Sequence, residues 1–299
     1  MNNKSLPPIS IIGAGAVGSS LAFALHHSGY PILAVISKSL VSARKLCSSV
    51  NSTIASTRLE KIPPETRLII IAVPDSAIPE IDRQLSKVSS LSFKQLLVLH
   101  TSGINSATIL KELSKKGVSI AAVHPIQTFP KPHGKILKPV LLDGIYYGVD
   151  CKKKDTPKIK QLIQNLNGNV IFIPAHLRPL YHAACVFSSS YVVVLLNAIE
   201  RLSKQLHGTK DWYHIFQPLF NAAIENTLKN SAGMSLTGPI VRNDVTTLKS
   251  HLKAIKKFAP ELIPLYTVCA KEVARVAHAN GLLTKKDFNK ITKIFRVTK

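Results

Sequence analysis

Ile9-Ser10-Ile11-Ile12-Gly13-Ala14-Gly15-Ala16-Val17-Gly18 is the stretch from which the fold can be read. A β-branched apolar run of strand length enters three glycines spaced G-x-G-x-x-G. The residues that follow, Val17 to Leu25, are small and apolar, as suits a helix packed on a sheet. Three glycines at this spacing also occur in ordinary turns, but the order strand, turn, helix is the setting of a dinucleotide fingerprint. Gly13 then permits the tight turn, Gly15 lets the backbone approach a pyrophosphate, and Gly18 allows close helix–sheet packing. Ala14, Ala16 and Val17 complete a helix N-terminus whose N–H groups and partial positive charge face the phosphates.

The second apolar run, Ile32 to Ile36, leads into Ser37-Lys38-Ser39. A carboxylate about 20 residues past the fingerprint would bond the 2′-hydroxyl of NAD, and no acid stands there. Ser37 and Ser39 can instead hydrogen-bond a 2′-phosphate, and Lys38 can pair with its charge. The expected cofactor is therefore NADP (NADPH). The competing reading is that Lys38 is one more solvated lysine in a lysine-rich chain.

The chain has 299 residues, of which 45% are hydrophobic and 18% charged. That length supports two domains with a large core, and the composition is that of an ordinary globular chain rather than a disordered one. Lys+Arg number 39 against 16 Asp+Glu, a formal net charge of +23. The lysines are dispersed, with denser patches at Lys152 to Lys154, Lys249 to Lys257 and Lys285 to Lys299. No aromatic-interleaved basic stripe accompanies them, so no specific nucleic-acid partner is expected. The charge reads as solvated surface that attracts anionic substrates and cofactors.

Cys47, Cys151, Cys185 and Cys269 are far apart and lack metal-type pairing, so no metal site and no disulfide framework is expected, and a reducing cytoplasm fits best. The start of the chain does not read as a signal peptide. The apolar segment Ala183 to Ile199 falls short of the ~20 residues a membrane span needs, and reads as a buried helix.

The first half alternates β-rich runs with helix-compatible segments. Strands are predicted at Ile9–Ile12, Ile32–Ile36, Leu68–Val73, Leu96–Leu99, Ser119–Val123, Ile145–Val149 and Val170–Ile173, with helices at Ser76–Lys87, Ser106–Lys116 and Lys158–Asn165. Such alternation implies an α/β domain with a mostly parallel sheet covered on both faces. After Pro174 the strands give way to helical stretches at Arg178–Leu206, Asp211–Asn230, Val245–Phe258 and Pro260–Asn280. The predicted division is residues 1–174, a Rossmann-type domain, and residues 175–299, an all-α domain. Phe129 to Gly134 reads as a loop.

In an open α/β sheet, ligands bind beyond the carboxyl ends of the strands. Three strand ends carry suitable residues: Val73-Pro74-Asp75-Ser76, His100-Thr101-Ser102-Gly103, and His124-Pro125-Ile126-Gln127-Thr128-Phe129. Val73, Pro74 and His100 are expected against the cofactor. Histidines at neighbouring strand ends suit acid–base work near neutral pH.

These motifs, together with Tyr181-His182-Ala183-Ala184, Ser188-Ser189-Ser190-Tyr191 and Leu236 to Asp244, resemble the Rossmann-like oxidoreductases that carry a C-terminal helical domain of unknown function. Those proteins are similar to pyrroline-5-carboxylate reductase, prephenate dehydrogenase and the hydroxyacid and 6-phosphogluconate dehydrogenase-like group. The resemblance spans nearly the whole chain and implies an NADP-dependent reductase of a small carboxylate substrate, with the helical domain, like that of 6-phosphogluconate dehydrogenase, forming a homodimer. It makes His124, in its His-Pro motif, the group that gives a proton to a carbonyl oxygen. The catalytic lysine and paired asparagines of hydroxyacid dehydrogenases fall on Cys185, Ser188 and Ser189, a departure that leaves His182 as the substitute candidate. Ser102 or Ser189 would bond the same oxygen and Arg242 would orient a substrate carboxylate, with a structural pair to Asp244 as the alternative for Arg242.

Overall fold

The computed structural model describes residues 6–130, 139–206 and 211–296. Most of the expected loop after Phe129 and the last residues of the C-terminal basic patch lie outside these. By its internal contacts the chain forms two compact units, 1–189 and 190–299.

The first unit is built on one eight-stranded sheet of order β3-β2-β1-β4-β5-β6-β7-β8. Its strands are β1 (Ile9–Ile12), β2 (Ile32–Ile36), β3 (Ile54–Ser56), β4 (Leu68–Ile71), β5 (Leu97–His100), β6 (Ser119–Pro125), β7 (Tyr146–Cys151) and β8 (Asn169–Phe172). All neighbours run parallel except β6 and β7, which are antiparallel with His124 opposite Gly148. The helices α1 (Ala16–His27), α2 (Leu40–Ser49), α3 (Ile78–Leu85), α4 (Lys111–Lys115) and α5 (Thr156–Asn165) cover both faces. Strand periodicity explains the layering, because alternate side chains point to opposite faces. Ile70 packs with Leu21, Leu46 and Ile159 of α1, α2 and α5. Its neighbours Ile69 and Ile71 pack with Ile78 and Leu113 of α3 and α4.

Three local features differ from the sequence reading. The edge strand β3 is only three residues long, too short to carry a pattern. Ser106–Lys116 is not one helix but a 3₁₀ turn, Ala107–Ile109, followed by α4, with Leu110 (ψ 60°) breaking the run. An additional helix, Lys285–Ile294, follows the helix Ile263–Ala279 and is capped by Thr284. The Thr284 hydroxyl oxygen accepts from the Asp287 N–H, and the Asp287 carboxylate accepts from that hydroxyl.

After β8, α6 (Arg178–Val186), a π turn (Phe187–Tyr191) and α7 (Val192–Ser203) form one continuous helical run, Ala175–Ser203. Its first turns belong to the sheet unit, because Arg178 and Tyr181 pack on the strand ends. The division by contacts therefore falls at residue 189 rather than at the end of β8. By length and composition this run is long and apolar enough to cross a membrane, with mean hydropathy 1.6 over a window of which none is buried. The expectation of a buried helix is thus not met within one chain.

The second unit continues with α8 (Trp212–Asn230), α9 (Val245–Phe258), α10 (Ile263–Ala279) and α11 (Lys285–Ile294). Its core joins Leu248, Ile291 and Phe295 to Ala270, Ala274 and Ala277, whose small side chains bring α10 close to its neighbours.

Candidate active site

The strand order reverses between β1 and β4, and a cavity of about 580 Å³ opens at their carboxyl ends. It is lined by Gly13, Ala14, Gly15, Ser37, Lys38, Val73 and Pro74, seven of the residues expected to bind the cofactor. Gly13 has φ +107°, and a Cβ there would collide with the Ala72 carbonyl of β4. Gly18 packs against the Gly13 carbonyl, so a side chain there would push α1 off the sheet. A Cβ on Gly15 would meet nothing within 4 Å. Its lack of a side chain serves no internal packing and leaves the backbone bare toward the cavity. Ala16, Val17 and Gly18 form the first turn of α1, which has neither a capping side chain nor an acidic residue. The uncapped N–H groups and the dipole therefore remain available to an anion, and these residues fit a dinucleotide pyrophosphate.

Ser37 and Lys38 line the same cavity, and no carboxylate lies at the end of β2. Glu80 also lines it, but its carboxylate is taken up by Arg83 and Gln84. Thr57, just past β3, joins the lining; the sequence reading did not include it, because β3 itself was not visible. Ser39 is corrected. Its hydroxyl caps α2 by accepting from the Ser42 N–H at 3.2 Å, and it does not line the cavity.

His100 lies inside the fold. The ring is fully buried, Nδ1 accepts from the Ser102 N–H at 3.2 Å, and Nε2 bonds the Ser106 carbonyl at 3.1 Å. Both nitrogens are thus used inside the fold, with the proton on Nε2. Burial holds its pKa down to about 4. It shapes the turn after β5 and is not among the residues lining the cavity.

A second cluster forms where β6 and β7 meet α6. His124 Nδ1 lies 2.6 Å from the Tyr181 hydroxyl. The His124 and His182 rings stand edge to face at 6.1 Å between centroids. Two glycines make this possible. A Cβ on Gly103 would strike the His182 ring, and one on Gly148 would strike the Tyr181 hydroxyl. Burial, then the neighbouring His182 and Arg178, hold the His124 pKa down to about 4. The ring is therefore neutral near pH 7, a hydrogen-bond donor rather than a cationic acid.

Behind the pair lies Arg178, with 0% of its surface exposed. One Nη donates to the Ser102 carbonyl at 2.7 Å, while Nε and the other Nη have no partner among the described residues. The guanidinium sits 5.9 Å from the centre of the Tyr181 ring. Arg178 and Tyr181 are the residues that sequence reasoning missed, whereas His182 was among its candidates. Their i, i+3, i+4 spacing puts them on one helix face, but only the fold brings that face to His124.

Both serine hydroxyls also make bonds inside the fold. Ser102 is buried, and its hydroxyl oxygen accepts from the backbone and side-chain N–H groups of Asn105. Ser189 gives its proton to the Cys185 carbonyl at 2.7 Å, one turn back on its own helix. In the helical unit, Arg242 is exposed; the Asp244 carboxylate caps α9, and its pKa is lowered first by its hydrogen bonds from Thr247 and to a smaller extent by Arg242.

Residues 3–125 match the Rossmann-like domain family, and residues 145–273 match a domain of unknown function (DUF2520). The chain thus joins a Rossmann-like domain to a DUF2520 domain. Among solved structures it is similar to a Bacteroides fragilis protein provisionally described as an NADP oxidoreductase, with TM-score 0.73 and 24% identity over 89% of this chain and 97% of that one. Prephenate dehydrogenase from Aquifex aeolicus, solved with hydroxyphenyl propionate and NAD⁺, gives TM-score 0.56 and 18% identity over 87% and 100%. Pyrroline-5-carboxylate reductase from Coxiella burnetii gives 0.56 and 15% over 93% and 98%. No curated protein matches the chain. At these identities the likeness is one of fold.

Proposed function

We propose that the protein is a cytoplasmic NADPH-dependent oxidoreductase that reduces the carbonyl of a small 2-oxo acid, with a ketopantoate-type acid as one example. The observation that carries the cofactor reading is the cavity at the ends of β1 and β4. There the uncapped first turn of α1 and the bare Gly15 suit a pyrophosphate, and Ser37 and Lys38 suit a 2′-phosphate. The solved relatives include both an NADP and an NAD⁺ protein by description, so the preference rests on Ser37 and Lys38. Bound NADPH would supply the hydride; the chain must hold the carbonyl and provide a proton. His124 suits that role, because Nδ1 is engaged by Tyr181 while Nε2 has no hydrogen-bond partner among the described residues. A neutral donor of this kind suits a carbonyl oxygen, which needs a proton as hydride arrives, better than an iminium, which already carries one. His182 assists as its neighbour.

The same reading has two copies meeting through their helical units. The 19-residue α8 buries none of its residues within one chain. Val193, Val194 and Leu195 of α7 and Ile215, Leu219 and Leu228 of α8 are exposed. Helix stability in proteins comes mostly from packing of an apolar face, so these faces suit a second copy.

NADPH and NADH binding, followed by cofactor fluorescence, tests the cofactor; turnover of 2-oxo acids, pyrroline-5-carboxylate and prephenate tests the chemistry. NADPH binding should be at least tenfold tighter than NADH binding, and Lys38→Glu should erase that difference. Equal affinity for both cofactors overturns the NADP assignment. Turnover of the imine or of prephenate alone replaces the 2-oxo acid, and binding without any turnover marks a non-catalytic NADP protein.

A further inference from the structure

Arg178 is a fully buried cation with no carboxylate in ion-pair distance among the described residues, and two of its three nitrogens are unpartnered. Leaving a charge in that state is costly unless its field is used. The group stacked against it is the Tyr181 ring, and the Tyr181 hydroxyl touches His124. Gly148, opposite His124 across the β6–β7 pairing, has no side chain where that hydroxyl sits. The three residues form a chain of contacts, from guanidinium to phenol ring and from phenol hydroxyl to imidazole.

We propose that Tyr181, backed by Arg178, is a positioning residue for His124: its hydroxyl donates to Nδ1, keeps the proton on Nε2, and refills the ring when Nε2–H is given up. The inference rests on the reductase reading for its final step only. As hydride forms the new C–H bond, the carbonyl π pair becomes an alkoxide pair that takes the proton from Nε2. Nδ1 takes the proton of the Tyr181 hydroxyl, so the ring stays neutral with its tautomer exchanged. Burial, then Cys185, disfavour a charge on the Tyr181 oxygen more than the Arg178 guanidinium favours it, so solvent replaces the phenol proton as it leaves.

The tautomer can be read without cofactor or substrate. Long-range ¹H–¹⁵N spectra of the full-length protein, with His124→Gln used for assignment, should show His124 in the Nε2–H form and neutral at pH 6. The groups that bear on it are His182, Tyr181 and Arg178 from α6; Cys185 faces Tyr181, and Asp75, Asp150 and His100 face Arg178. Gly103 and Gly148 bring no charge. Tyr181→Phe should give a mixture of tautomers and raise the His124 midpoint by about half a unit or more, because a hydrogen bond to the neutral form is lost. Gly148→Ala, which displaces the hydroxyl without deleting it, should do the same and decides the matter if Tyr181→Phe fails to fold. An Nδ1–H tautomer in the unmodified protein, or an unchanged tautomer and midpoint in the folded variant, overturns the inference. Failure to bind NADPH in the separate cofactor assay overturns the reductase reading and leaves the tautomer result standing.

Discussion

The glycines of the fingerprint look alike in sequence and do different work. Gly13 is required by its own backbone and by the Ala72 carbonyl, whereas a methyl group on Gly15 would enter open space. Gly13→Ala should therefore cost about 2 kcal/mol or more, since it combines a positive φ with overpacking. Gly15→Ala should keep the unfolding midpoint of the parent and lose NADPH affinity at least tenfold. Denaturant melts paired with fluorescence titration of both variants check this, and equal stability of the two would refute the distinction. At this scale Lys38 and the glycines were legible because local chain order sets their surroundings. Tyr181 and Arg178 were not, because their partners lie far away in sequence.

Among the elements, the ends of β5 and β6 hold histidines with opposite tasks. Both are kept near pKa 4, mainly by burial, against an ordinary value of 6.5. Between those two values the unfolded chain binds more protons than the folded one. Stability is then full above about pH 6.5 and falls as pH drops toward 4. At pH 5 each ring should cost about 2 kcal/mol relative to pH 7. Urea melts at the two pH values should show the fall, and a His100→Gln variant should show a smaller one; a flat profile would contradict the burial of these rings. Strand alternation made most of the sheet readable, and β6 was foreseen to carry a functional histidine. The antiparallel return of β7, which sets Gly148 opposite His124, has no signature in the strands themselves. The hydrogen bonds that His100, Ser102 and Ser189 make inside the fold were equally hidden, since a polar side chain's partner depends on how the backbone turns.

At the scale of the whole molecule, the apolar faces of α7 and α8 should be covered. Light scattering on the purified protein should give twice the 32.6 kDa of one chain, and Leu219→Glu should shift it toward the monomer. A monomer at micromolar concentration, or partition into lipid vesicles, would discard the dimer. The net charge of +23 is spread along the chain, and its cations outnumber the acids that could pair with them.

By itself the sequence determined most of the order of strands and helices, the dinucleotide turn, and the absence of an acid after β2. These follow from periodicity, glycine conformational freedom and charge over a few neighbouring residues. Only the tertiary structure decided which strand-end side chains are available. It buried His100, used the serine hydroxyls, and brought a helix face carrying Arg178, Tyr181 and His182 against His124. Such contacts arise between residues more than fifty positions apart, where packing rather than local pattern sets the partners.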